Sequence, residues 1–236
     1  MAGVFPSPNC GPRRGTDRPD MIVLHYTAME DAAAARARLC DPAAEVSAHW
    51  LIAEDGRTEA LVDERLRAWH AGAGGWGAVR DVNSHSVGVE LANSGDAPFP
   101  EPQMAALERL LAAVMRRWSI PPERVIAHSD MAPDRKRDPG PRFDWRRLAA
   151  AGLSVWAEGD GQGTGGQGAG GLGTGGQALA ASLSTLGYPD VAPASRLAAF
   201  RLRFRPQGVG PESAADRALA HVLARRFPVD AGIGAP

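Results

Sequence analysis

Two histidines at the ends of apolar runs, with a carboxylate a short loop beyond the second, are the residues here that could jointly hold a metal ion. Met21-Ile-Val-Leu runs into His25, and Val125-Ile-Ala runs into His128. The stretch after His128 carries Lys136 and Asp138 and stops at Pro139-Gly140. β-Branched residues leading into a run of Ser, Asp and Pro read as a strand that ends in an irregular loop. Such a loop can fold its carboxylate back towards an imidazole held at the strand end. Two histidines and one carboxylate suit zinc and leave a tetrahedral ion one open position, the arrangement of a catalytic site. An ion so placed draws the pKa of water towards neutrality.

Hydrolysis also needs a group that takes and returns a proton, and a positive group facing the developing oxyanion. Glu90, near the end of Ser86-Val-Gly-Val-Glu-Leu, fits the first role. Lys136 fits the second, because in an extended loop residues 136 and 138 point to one side. Each assignment has a plainer competitor. His25 and His128 could be core or surface histidines, and Asp138 before a proline could be a turn residue. Glu90 could be a paired structural acid, and Lys136 within Arg-Lys-Arg a solvated charge. His49 and His70, each beside a tryptophan, read as framework or groove residues.

The elements that must position these groups follow from pattern. Met21–Leu24 reads as a buried strand, and Asp31 as the N-cap of an Ala/Arg-rich helix that ends at Asp41-Pro42. Two extended runs, 47–53 and 58–62, flank an Asp-Gly turn and predict a hairpin. Trp69-His-Ala-Gly-Ala-Gly-Gly-Trp76 is a Gly-rich loop with two aromatics, of the kind that lines binding surfaces. Residues 86–93 alternate as a strand does. Beyond Pro102, Leu107, Leu110, Leu111, Val114, Met115 and Trp118 share one helical face, and Pro121-Pro122 ends that helix. Phe143–Leu148 reads as a short closing helix.

From Glu158 to Gln177 the composition collapses into Gly, Gln and Thr, which cannot bury apolar surface. As a flexible coil this stretch would span roughly 25 Å. Beyond it, 178–186, 192–204 and 213–227 read as three short helices. The expected division is therefore a 1–19 extension, a 20–157 catalytic domain, a 158–177 linker and a 178–230 helical domain. The expected fold is α/β (α+β): a mixed central β-sheet flanked by helices, plus a small three-helix C-terminal domain.

Charge and composition exclude some classes. The 236 residues carry a net charge of −1, too little field to hold a polyanion, so no nucleic-acid partner is expected. Cys10 and Cys40 are too few for a disulfide framework. The first twenty residues contain no apolar run, and no stretch reaches transmembrane length, so no membrane insertion is expected. The localisation expected on that basis is cytoplasmic, or periplasmic if a signal has been trimmed.

Five separated motifs add a resemblance: His25-Tyr-Thr-Ala, Ser47-Ala-His-Trp-Leu-Ile, Trp69-His-Ala-Gly, Ser86-Val-Gly-Val-Glu-Leu-Ala-Asn93, and Ala127-His-Ser-Asp with Arg135-Lys-Arg-Asp-Pro-Gly-Pro141. In that order they resemble the zinc-dependent N-acetylmuramoyl-L-alanine amidases of the AmpD/AmiD type, whose fold is shared with peptidoglycan-recognition proteins. The resemblance covers about residues 20–150. It implies Zn2+ on His25, His128 and Asp138, proton handling by Glu90 and oxyanion stabilisation by Lys136. It also implies substrate binding by His70, Trp76, Arg80 and Asn93, with Arg80 either gripping a stem-peptide carboxylate or forming a surface ion pair. Ala48 stands where some relatives carry a tyrosine, which fits the branch that uses a carboxylate. The region around Leu186-Gly-Tyr-Pro-Asp190 resembles a peptidoglycan-binding-like module. The implied substrate is a muropeptide or the sacculus, cut between N-acetylmuramic acid and L-Ala by a monomer. The alternative is a non-catalytic muropeptide-binding protein of the same fold, which would be expected to lack a ligand or the acid.

Overall fold

The computed structural model describes residues 3–4, 6–158 and 178–229. In chain order its strands are β1 (Gly3–Val4), β2 (Cys10–Pro12), β3 (Met21–Tyr26), β4 (Trp50–Ile52), β5 (Thr58–Ala60), β6 (Leu66–Ala68), β7 (Ser86–Leu91) and β8 (Val125–Ala127). Its helices are α1 (Ala32–Cys40), α2 (Val82–His85), α3 (Glu101–Trp118), α4 (His128–Met131), α5 (Trp145–Ala150), α6 (Leu179–Leu186), α7 (Pro193–Phe204) and α8 (Ala214–Arg226). Six strands form one mixed sheet in the order β1-β5-β4-β7-β3-β8, and β2 pairs with β6 beside it.

β3 is the hub of the sheet, parallel to both β7 and β8. Its run Met21–Leu24 is wholly buried because both faces of the sheet are covered. Alternation sends Met21 and Val23 into one core and Ile22 and Leu24 into another. Val87, Val89 and Leu91 of β7 join the second, which α3 covers with Met104, Leu107, Leu111 and Val114. By the same alternation His25, Gly88, Glu90 and His128 lie on the opposite face. Part of that face is closed by α1, whose Ala32, Ala35 and Leu39 pack on Leu51.

The helix and hairpin expectations correspond to observed elements. Asp31 Oδ1 accepts Ala34 N–H at 2.7 Å at the start of α1. β4 and β5 form the antiparallel hairpin across the Asp55-Gly56 turn. Gly56 needs its positive φ of 84° there, and a Cβ would meet the Pro102 carbonyl oxygen at 2.5 Å. Two expectations need correction. The segment after His128 is not irregular from its first residue: His128–Met131 turns once as α4, and Ala132 N–H donates to the His128 carbonyl. The stretch read as an N-terminal extension is built into the fold through β1 and β2, and the Arg13 guanidinium donates to the carbonyls of Glu64, Ser84 and Ser86.

The C-terminal helices close over the face that carries Met21 and Val23. Leu183, Leu186, Tyr188, Phe200 and Phe204 share one core with Met21, Val23, Trp76, Ile126 and Met131. At its centre lies a buried polar lock. Arg203 Nη1 donates to Asp130 Oδ2 at 2.6 Å, and Tyr188 Oη donates to Asp130 Oδ1 at 2.7 Å. Arg203 Nη2 also reaches the Val125 carbonyl and Ser154 Oγ. Nearly all of the Gly-rich stretch read as a linker, 159–177, lies outside the described residues. No helix among the described residues is long and apolar enough to cross a membrane.

Candidate metal centre

Parallel pairing brings the chemistry together. The β3–β7 register sets His25 opposite Glu90, and the β3–β8 register sets Leu24 opposite Ala127, so His128 emerges beside His25. All three strands end at one edge, the usual place for a site in parallel sheets. Asp138 returns to this edge because its carbonyl accepts Ser129 N–H at 3.0 Å. Upstream, the Asp130 carboxylate accepts Ala127 N–H at 2.9 Å and fixes the turn from β8 into α4.

His25, His128 and Asp138 are all buried, and a set of their ligand atoms falls within 4.8 Å of one another. His25 Nδ1 and His128 Nδ1 stand 2.9 Å apart, and each is 3.0 Å from Asp138 Oδ2. His128 Nε2 lies 2.9 Å from the Ala71 carbonyl, which can only accept, so its proton sits there and the Nδ1 lone pair faces inward. Acceptor atoms crowded this closely call for a cation between them. Donors around a tetrahedral zinc stand roughly 3.3 Å apart, so the set fits that ion with small adjustment.

Burial sets the proton affinities. It lowers His25 to about 4, helped by His128 and opposed by Asp138. It holds His70 well below the ordinary histidine range, with His25 adding to the effect. Burial and then the Asp138 charge push the Glu90 carboxyl up to about 8, against the pull of Lys136. Glu90 Oε2 is enclosed and has no hydrogen-bond partner among the described residues. An enclosed carboxylate oxygen with a raised proton affinity beside a metal-ligand set marks a candidate for proton transfer.

The edge opens into a cleft of about 500 Å³ lined by His25, Glu90, His128, Lys136 and Asp138, with α1 contributing Arg38 and Leu39. The four residues expected at the substrate divide. His70 lines the cleft, but both ring nitrogens have protein partners, His25 Nε2 at 3.0 Å and Ser86 Oγ at 3.1 Å. Trp76 sits elsewhere: it is buried against Tyr188 in the core shared with the C-terminal helices. Arg80 folds onto the carbonyls of Gly77 and Val79 in its own loop. Asn93 braces the turn after β7, accepting Gly95 N–H and donating to the Ala97 carbonyl.

Pattern reading missed Arg38, Arg137 and Met29 on the cleft and the role of Ser86 behind it. Asn83 Oδ1 accepts the backbone N–H groups of His70 and Ala71, which ties the Gly-rich loop to α2. Ser86, a polar residue opening an apolar strand, was the one visible signal. The arginines carried none, because a charge on a helix face or in a loop usually faces water.

A family described as N-acetylmuramoyl-L-alanine amidase matches residues 15–141. The N-acetylmuramoyl-L-alanine amidase AmiD of Escherichia coli K12 is 34% identical, the match covering 89% of this chain and 84% of that protein. The 1,6-anhydro-N-acetylmuramyl-L-alanine amidase AmpD of Haemophilus influenzae is 39% identical over 45% of this chain and 58% of its own length. Among solved structures, E. coli AmiD in complex with anhydro-N-acetylmuramic acid-L-Ala-D-gamma-Glu-L-Lys superposes with a TM-score of 0.76 at 32% identity, over 91% of this chain and 93% of that one. AmpDh3 of Pseudomonas aeruginosa in complex with anhydromuramic pentapeptide gives 0.76 at 30% identity, over 92% and 96%.

Proposed function

The chain belongs to the N-acetylmuramoyl-L-alanine amidase family, and we propose from that premise that it hydrolyses the amide joining the lactyl carbonyl of N-acetylmuramic acid to the first L-Ala of the stem peptide, with zinc as its metal. The observation that carries this reading is the register of three parallel strands, which sets His25, His128 and Glu90 at one sheet edge over an open cleft. Zinc, when bound by His25, His128 and Asp138, supplies Lewis acidity towards water and the scissile carbonyl.

The remaining roles fall to side chains of this chain. Glu90 takes a proton from the attacking water through a carboxylate oxygen. Its burial keeps that proton at hand for delivery to the leaving nitrogen. The Lys136 ammonium on the cleft wall steadies the carbonyl oxygen as it becomes negative. A C–O bond forms and the C–N bond breaks, leaving a lactyl carboxylate and a stem peptide with a free amino terminus. Arg38 and Arg137 give the cleft a positive rim suited to the carboxylates of a stem peptide.

The test is incubation of the zinc-loaded protein with anhydro-N-acetylmuramyl tripeptide and, separately, with purified sacculi. Release of a peptide beginning with free L-Ala is expected, lost on chelation and restored by zinc. Binding of the muropeptide with no cleavage would overturn the enzymatic reading in favour of a recognition protein. The ratio of rates on the two substrates decides between soluble fragments and polymer.

A further inference from the structure

Behind His25 runs a chain of hydrogen bonds whose directions can be deduced one after another. Ser86 Oγ lies 2.6 Å from the Val82 carbonyl, which has no proton to give. The hydroxyl proton is therefore committed to that carbonyl, and Ser86 Oγ can only accept from its other neighbour. That neighbour is His70 Nε2 at 3.1 Å, so the His70 proton sits on Nε2. His70 is buried and meets no carboxylate among the described residues, so it carries one proton and its Nδ1 bears a lone pair. His70 Nδ1 is 3.0 Å from His25 Nε2, which must then be the donor. The lone pair of His25 is left on Nδ1, the atom that faces His128 and Asp138.

The ring of His70 has nowhere else to go. Asn83 Oδ1 holds its backbone N–H at 3.0 Å, and the ring lies over Gly88, where a Cβ would stand 2.4 Å from His70 Cγ. His49 packs edge-on at 5.7 Å. A residue that reads from sequence as a substrate contact is thus spoken for on both nitrogens.

We propose that His70, oriented by Ser86 and the Val82 carbonyl, is a positioning residue that fixes the tautomer of His25 and so presents its Nδ1 lone pair to the metal. This rests on the metal centre of the family reading, not on its substrate. A ligand imidazole free to choose its tautomer must give up the wrong form before it binds, which weakens the site. Outer partners of this kind are worth on the order of 10–100-fold in metal affinity.

The test is zinc affinity by chelator competition in the full chain, read together with histidine 15N spectra. His70→Leu, which keeps bulk and removes both nitrogens, should weaken zinc binding roughly 10–100-fold. His70→Asn places an amide oxygen near the Nδ1 position and should recover most of that loss. Spectra of the wild type should show His70 protonated at Nε2 and bare at Nδ1, and Ser86→Ala should populate the other form. Equal loss in the Leu and Asn variants, with cooperative unfolding intact, overturns the relay in favour of packing. Wild-type zinc affinity in His70→Leu overturns it outright, and so does a wild-type His70 protonated at Nδ1, whether or not the variants fold. Zinc uptake without stem-peptide release overturns the amidase reading alone, while a wild type that binds no zinc overturns both.

Discussion

In the proposed reaction Glu90 is the residue that moves the proton, so turnover is expected to depend on it. Burial and then the Asp138 charge raise its carboxyl to about 8, and a cation held by the neighbouring ligands would favour the carboxylate. Glu90→Ala and Lys136→Ala should each lower kcat by roughly 10²–10⁴-fold while zinc stays bound. Metal analysis beside the rate measurement checks this, and wild-type turnover in a zinc-loaded variant would remove that residue from the mechanism. His49 makes a separate prediction. Its Nδ1 accepts Gly88 N–H and its Nε2 faces the Leu66 carbonyl, so it is built into the fold as a neutral ring. Burial, aided by the Arg13 charge and opposed by the Leu66 carbonyl, lowers it to about 4. The stability it contributes is complete above about 6.5, its unfolded value, and is lost as pH falls towards 4, because the unfolded chain binds the extra proton. Denaturant unfolding of the metal-free protein should weaken through that window, and in His49→Gln the slope against pH should fall by about one proton. His25 and His70 titrate alongside, so the slope shrinks without vanishing.

At the scale of elements, the turn from β8 into α4 decides where His128 points. Asp130, fully buried, accepts from Ala127 N–H within that turn and from Arg203 and Tyr188 across the C-terminal helices. The Arg203 side chain is equally enclosed, stacked over Trp145 at 4.3 Å. Removing one partner of such a pair strands a charge in the core, at a cost of roughly 3–5 kcal/mol. Arg203→Met should therefore lower the unfolding free energy by about that amount, and adding Asp130→Asn should recover part of it. A drop below about 1 kcal/mol in Arg203→Met would mean that the pair is not what holds α7 to α4. The second turn that matters is the Gly-rich loop after Trp69, held to α2 by Asn83 and to Arg135 through the carbonyls of Ala71 and Ala73.

For the whole molecule, the consequence is that the C-terminal helices are part of the catalytic unit's core. Fifty residues or so form a marginal domain alone, and these instead bury Phe200, Leu183 and Tyr188 against Met21, Ile126 and Trp76. A chain ended at Ala157 should expose that face, lose cooperative unfolding and aggregate. A melting temperature unchanged by the truncation would show instead that the helices are only tethered. Chelation should do the opposite of truncation: activity goes while the fold stays, since the sheet has cores on both faces independent of the ion.

How much of this was legible beforehand follows from the range of the forces involved. Residue order alone specified the strand that carries His25 and the one that leads into His128, the α1 cap at Asp31, the amphipathic stripe of α3 and the three C-terminal helices, because alternation, capping and helical periodicity act over a few neighbours. The motifs likewise marked His25, Glu90, His128, Lys136 and Asp138 as one set. The tertiary structure decided the rest: that His25 lies level with Glu90, that His70 turns inward to His25 and Ser86, that Trp76 serves the core, and that Arg203 reaches Asp130. These depend on strand register and on which buried polar atoms find partners. Both are settled between residues far apart in the chain, where local pattern carries no signal.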